Sequence, residues 1–161
     1  MLFLVNLMLG KFMESPNRWV EPYRDEHRKL IVTGYGHAID WSQVRADMAF
    51  TGLARTAGLL PEVIGVAGVS PLWEGVAQAW VILGTGVKKH RFFMHRNVGR
   101  YMDILAKTHS LRRIQATVPC FSHANLSWIE SLGFELESKL TGFGPDGLDH
   151  FMYRKMYVKQ I

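Results

Sequence analysis

The chain has a single cysteine, Cys120, among its 161 residues. One thiol closes no intrachain disulfide, so a cross-linked extracellular scaffold is excluded and a reducing compartment is the natural setting. No Cys/His spacing has the form of a zinc site. No internal repeat or low-complexity tract is present, which excludes a repeat array. Long apolar runs are also missing. The first 13 residues, MLFLVNLMLGKFM, are apolar, but a membrane span needs about 20 such residues. No basic stretch precedes them and no small-residue cleavage pattern follows, so they make a poor secretory signal. They read as a strand or helix packed on the domain or on a neighbouring subunit, or as the result of a mis-set start, since Met8 and Met13 could each initiate.

What is present is ordinary for a folded domain. The apolar fraction is 48% and the charged fraction 20%, and a chain of this length buries a full core without metals or disulfides. The expected organisation is an apolar extension over residues 1–17 and one domain over 18–161. Net charge is +5, unevenly spread. From Lys88 to Arg113 there are eight basic residues and one acid, Asp103. Such a stretch attracts an anion, whether a phosphorylated cofactor, a nucleic acid or an acidic partner, or else it is a solubilising helix face.

Along the chain, Arg18–Glu21 reads as a strand and Asp25–Val32 as a short helix. Asp40 is placed to cap a helix running to about Phe50. Val63–Val69, rich in β-branched residues and bounded by Pro61 and Pro71, is the clearest strand. Trp73-Glu74-Gly75 reads as a hairpin turn into a second strand, Val76–Leu83, apolar enough for a sheet centre. From Lys88 to Thr108 the apolar spacing becomes helical. Leu111–Val118 alternates as a strand, Ser122 or Asn125 caps a short helix ending at Gly133, and Phe134–Phe143 and His150–Val158 form a last hairpin around Gly144-Pro145-Asp146-Gly147. A strand–helix–strand unit between hairpins predicts an α/β fold with a mixed sheet and a right-handed crossover through the basic helix.

Two segments carry a resemblance. Trp128-Ile129-Glu130-Ser131-Leu132-Gly133-Phe134-Glu135 resembles the "YEKLGFE" segment of Gcn5-related N-acetyltransferase (GNAT) domains. GVSPLWEGVAQAWVIL resembles the hairpin entering their central strand. The pairing of Gly68–Trp80 with a closing Leu132–Arg154 segment is most similar to GNAT-like proteins of phages and prophages, and more loosely to a podovirus internal virion protein family. The resemblance spans roughly residues 60–158. It implies a central mixed sheet flanked by helices, with acetyl-CoA held between two splayed strands and its pyrophosphate at the start of the following helix. It further implies a general base for the acceptor amine and a Tyr on the last helix for the leaving thiolate.

Set against that pattern, Arg91-Phe92-Phe93-Met94-His95-Arg96 falls where the phosphate loop belongs, with Met94 and Arg96 at its two glycine positions. Ile129 falls at the Tyr position. Lys88, Lys89, Arg91 and Arg96 are the candidates to bind phosphates through side chains, beside Val81 and Leu83 on the central strand. Glu74, Ser122, His90 and His95 are the candidates for proton or thiolate handling, and Glu74 and Ser122 are the expected catalytic pair. Tyr153, Tyr157, Trp73, Trp80 and Trp128 read as packing aromatics. The expected function is transfer of an acetyl group from acetyl-CoA to an amine by a cytoplasmic protein. The alternative is a GNAT-fold phage protein without chemistry, serving in a virion or binding a phage partner or a second copy of itself. Nucleic-acid binding through residues 88–113 is a weaker third reading, since no nucleic-acid motif accompanies the charge.

Overall fold

β-Branched and small apolar residues set the sheet, and a run of paired apolar positions sets the main helix. The computed structural model describes residues 12–34 and 39–158. Within them the strands are β1 (Phe12–Ser15), β2 (Arg18–Pro22), β3 (Ala49–Ala54), β4 (Glu62–Trp73), β5 (Val76–Leu83), β6 (Arg113–Pro119), β7 (Glu135–Leu140) and β8 (His150–Met156). The helices are α1 (Asp25–Leu30), α2 (Arg91–Thr108) and α3 (His123–Ser131). One eight-stranded sheet has the order β1-β2-β3-β4-β5-β6-β8-β7. Every neighbouring pair is antiparallel except β5–β6, the parallel pair joined through α2.

Helix α2 buries Phe93, Met94, Asn97, Val98, Tyr101, Met102, Leu105 and Ala106, the pairwise i, i+4 pattern of a helix laid on a sheet. Its partners include Phe50, Ile64, Ala77, Ile114 and Ala116. Glycine lets the helix sit close: a Cβ at Gly65 would stand 2.9 Å from Met94 Cε. The opposite face, over β2 to β4, holds a second core of Tyr23, Ala49, Leu53, Val63 and Val66, covered by Leu30 and Trp41. Trp41 stacks on Tyr23 at 6.0 Å between ring centroids.

Under α1 lies His27, only 2% exposed. The Arg24 amide donates to its Nδ1 at 3.1 Å, and Thr51 Oγ1 lies 2.8 Å from the same nitrogen. A backbone N–H can only donate, so Nδ1 is the acceptor, and the proton sits on Nε2, facing Glu21 Oε1 at 3.0 Å. Burial holds the His27 pKa below its usual value, outweighing the pull of Glu21. Burial pushes Glu21 up, but hydrogen bonds from Trp19, Arg24 and His27 and the Arg24 charge bring it below the usual value. Both shifts act in one direction. A histidine with a depressed folded pKa contributes stability that is complete above its unfolded value, roughly pH 6.5, and is lost as pH falls below it. The depressed Glu21 adds a second loss in more acidic solution. The midpoint of thermal unfolding is therefore expected to fall between pH 7 and pH 5, and His27→Gln, which cannot take a proton there, is expected to flatten that slope. An unchanged slope in the variant would remove His27 as its source.

Three expectations of local structure need correction. The helix expected from Asp40 to Phe50 does not form. Asp40 accepts from the Ser42 amide and hydroxyl, a short 3₁₀ turn follows at Ala46–Met48, and β3 begins at Ala49. β3 is buried at all six positions between β2 and β4, and that burial overrides local helix preference. The basic helix begins at Arg91 and not at Lys88, because Thr85–His90 is a 3₁₀ turn. Positions 91–96 are therefore helix, and the connection from β5 runs through Gly84–His90 instead. The division expected between residues 17 and 18 lies at the start of β2. Residues 1–11 lie outside the described residues.

Candidate functional site

The site grows from a break in the sheet. β5 and β6 pair only at Val76↔Arg113, Ala77↔Ile114 and Gln78↔Gln115. Beyond that point β6 stays zipped to β8 as far as Pro119↔His150, and β5 stays zipped to β4 as far as Leu83↔Gly65. The two strands thus part while each keeps its other neighbour. Past that point β5 and β6 exchange no ladder bonds. The burial pattern records the opening: Ala77 is fully buried, while Ala79, Val81 and Leu83 on the same helix-facing side are half-buried.

A cavity of about 410 Å³ occupies the gap. Val81 and Leu83 line it from β5, Val98 and Met102 from α2, and Trp128 and Ile129 from α3. A larger hollow of about 690 Å³ lies at the other end of α2. There Asp103 Oδ1 already accepts from Lys155 Nζ at 2.9 Å and Tyr157 OH at 3.0 Å. That hollow touches no opened strand, and its one acid is already held by Lys155 and Tyr157, so the gap between β5 and β6 is the candidate site.

From the open end of β5 the chain enters the Thr85–His90 turn and then α2, with no acid in the first turn of either. Lys88, Lys89, Arg91 and Arg96 are all exposed there, around the positive end of the helix dipole. Met94 does not obstruct this end. It is buried against Gly52 and Gly65 in the core. The two glycines before the helix serve β4: a Cβ on Gly84 would stand 2.5 Å from Val63 O, and one on Gly86 would run into Glu62 Oε1.

Val81 and Leu83 are thus in the cavity wall, and the four cationic residues surround the helix start beyond it. Ser122 is the N-cap of α3 just past Pro119, at the open end of β6, and its hydroxyl makes no capping bond. Glu74 is not brought to the opening. It sits in the β4–β5 turn, on the side where β5 and β6 are zipped, exposed, with its carbonyl accepting from Arg112 Nη1 at 2.7 Å. Glu62 and not the cavity faces His90, with Nε2 4.0 Å away. Burial lowers the His90 pKa ahead of the opposing Glu62 charge. His95 does reach the site edge, where its Nδ1 accepts from Trp128 Nε1 at 3.2 Å and ties α2 to α3. Tyr153 donates to Glu130 at 2.9 Å, and burial, then Glu130, push its pKa up to about 12. Burial and Asp103 raise Tyr157 as well. Both tyrosines are held by carboxylates away from the cavity lining.

Sequence reasoning missed the polar chain at the closed end of the gap. Arg113 grips Glu137 with two hydrogen bonds. Its Nε donates to Gln115 Oε1 at 3.2 Å, and Gln115 Nε2 donates to Gln78 Oε1 at 3.3 Å. The signal was available, since Gln78 is the only polar residue in VAQAWVIL.

No family model matches the chain, and no curated protein matches it significantly. Solved structures do. Ard1 from Thermoplasma volcanium superposes with a TM-score of 0.70 at 8% identity, covering 89% of this chain and 99% of that one. Ribosomal-protein-S5-alanine acetyltransferase from Vibrio fischeri gives 0.68 at 15% identity, covering 94% and 99%. A spermidine N-acetyltransferase SpeG mutant from Vibrio cholerae gives 0.55 at 15%, covering 68% and 66%. At these identities the likeness is one of fold, and the fold is the α/β GNAT fold expected from the sequence.

Proposed function

We propose that this protein is an N-acetyltransferase that moves an acetyl group from acetyl-CoA to an amine. The observation that carries the reading is the parting of β5 from β6 past Gln78 and Gln115, over an apolar cavity that leads to a cationic helix start. The residues present fit the donor. An apolar channel between two parted strands suits a pantetheine arm, and a helix with no acid in its first turn and four cations around its start suits phosphates. Bound there, acetyl-CoA supplies a thioester activated toward attack by an amine. Val81 and Leu83 flank the arm, Lys88, Lys89, Arg91 and Arg96 hold phosphate oxygens, and Ser122 stands at the open end as a hydroxyl for the thiol side. The structural neighbours named for ribosomal protein S5 alanine and for spermidine act on quite different amines, so fold likeness alone selects neither.

Calorimetric titration tests the reading: acetyl-CoA is expected to bind in the micromolar range, and no heat at millimolar ligand overturns it. The double variant Lys88→Glu, Lys89→Glu is expected to weaken binding by about tenfold to a hundredfold, because two attractive charges become two repulsive ones at an exposed phosphate. The loss should shrink as salt is raised. Equal affinity of variant and parent at low salt would take the phosphates away from this turn.

A second reading, a GNAT-fold protein without chemistry serving in a phage particle, has its own observation. Ile129 lines the cavity where the family resemblance implies a tyrosine, and Gly84 and Gly86 are committed to β4. Recovery of the protein in purified particles, with no heat from acetyl-CoA, is the result that favours it over transfer in the cytoplasm.

A further inference from the structure

Gln78 and Gln115 form the last registered pair before β5 and β6 separate, and their side chains are bonded to each other. The direction of that bond is fixed from outside the cleft. Arg113 has only donors. With its guanidinium locked on Glu137, its Nε can meet only an oxygen, so Gln115 turns Oε1 toward it. That leaves Gln115 Nε2 facing Gln78, which must then offer its own Oε1. No described group accepts from Gln78 Nε2, and Gln78 is part of the cavity lining, on the sheet face opposite Ala77 and Ala79. An amide that would otherwise flip freely is thereby held as a donor, at the narrow end where an acyl group carried on an arm through the gap comes to rest.

We propose that Gln78 donates a hydrogen bond to the acyl carbonyl oxygen of the bound thioester, and that Gln115 and Arg113 are positioning residues that hold its amide in the donating sense. The proposal rests on the acyl-transfer reading above. In the reaction the amine nitrogen bonds to the acyl carbon and the carbonyl π electrons move to the oxygen. The C–S bond then breaks, the pair leaving with sulfur, and the amine proton passes to water. The oxygen gains negative charge in the first step, so a donor already aimed at it stabilises the transition state more than the ground state. A neutral amide suits the position, since it neither titrates nor pairs with the acceptor amine.

The test needs no turnover. Two stable ligands are compared by calorimetry: the ketone analogue of acetyl-CoA with methylene in place of sulfur, and the S-ethyl thioether of CoA, which lacks the carbonyl. The parent protein is expected to prefer the ketone by about tenfold, the weight of one hydrogen bond between neutral groups. Gln78→Leu should bind the thioether as the parent does and show no preference. Gln115→Glu is the sharper variant, because Gln115 stands beside the cavity and not in its wall. A carboxylate at 115 accepts from Arg113 and cannot donate to Gln78, so Gln78 turns Nε2 toward it and presents Oε1 to the ligand. The preference should then reverse in favour of the thioether. A ketone preference that survives in both variants, with thioether binding intact, overturns the role of Gln78 and leaves the acyl-transfer reading standing. Failure of the parent to bind either ligand overturns both.

Discussion

Ala79→Trp is expected to abolish acetyl-CoA binding without unfolding the protein. Ala79 lies one residue past the last β5–β6 pair, lines the cavity, and is only half-buried. An indole placed there projects toward Val98 and Met102 of α2 and occupies the gap that the arm of the cofactor needs. Affinity should drop by about a hundredfold or more, since one buried aromatic ring excludes ligand from most of a channel this size. Stability should hold or rise, because the ring fills space and adds apolar burial in place of creating a clash. The pairing of outcomes is the point. Loss of binding with an unchanged thermal midpoint places the arm in this gap. Binding that persists in a folded variant moves the cofactor elsewhere. Phosphate contacts at Lys88 and Lys89 cannot rescue it, since both lie at the far end of the same path.

The opening was legible in part. VIGVAGV and VAQAWVIL announce two strands, and the paired apolar positions of α2 announce a helix after them, so the strand–helix–strand unit at the heart of the site follows from local pattern. β3 did not announce itself. AFTGLA alternates nothing, because both of its faces are covered, and a segment buried at every position has neither the period of an amphipathic helix nor that of a half-buried strand. The connection from β5 into α2 is hidden from the sequence for a related reason. Counting along the chain sets Met94 and Arg96 against glycines. The six-residue 3₁₀ turn at Thr85–His90 inserts the connection earlier, and Met94 turns into the core. Count alone does not tell which side of a helix a residue faces. The position of Glu74 relative to the opening was not legible, because a turn residue reads the same from either end of its strand, and the parting of β5 from β6 begins at the other side of their three pairs. That Lys88, Lys89, Arg91 and Arg96 gather around one helix start was legible, because charge clusters survive small errors of register. The polar chain through Arg113, Gln115 and Gln78 joins three positions that the sequence separates by 37 at most, and only the parallel pairing of β5 with β6 brings them together.

The half of the sheet that β6 parts from must itself be rigid, and two glycines in it separate two kinds of close packing. A Cβ at Gly68 would stand 2.4 Å from Met48 O, 2.9 Å from Ala49 Cα and 2.8 Å from Trp80 Cζ2. Two of these neighbours are backbone of the adjoining β3 segment, which β4 holds through Ala49↔Gly68, so nothing can rotate out of the way. A Cβ at Gly52 would stand 2.7 Å from Met94 Sδ and 3.3 Å from Phe93 Cε1, both side-chain atoms, and methionine re-packs readily. Gly68→Ala is therefore expected to cost about 2–4 kcal/mol, the range for forcing backbone apart in a packed interior. Gly52→Ala should cost about 1 kcal/mol or less once Met94 adjusts. Removing the obstructing side chain separates the cases further. In a Gly52→Ala, Met94→Ala pair the two changes should couple, the double variant losing less than the sum of the singles. Gly68→Ala with Trp80→Ala should show little coupling, because the carbonyl of Met48 stays where it was. Urea unfolding of the six variants measures all of this. Equal costs at Gly68 and Gly52, or full rescue of Gly68→Ala by loss of the Trp80 ring, would mean that the β3–β4 contact yields more easily than its backbone distances imply.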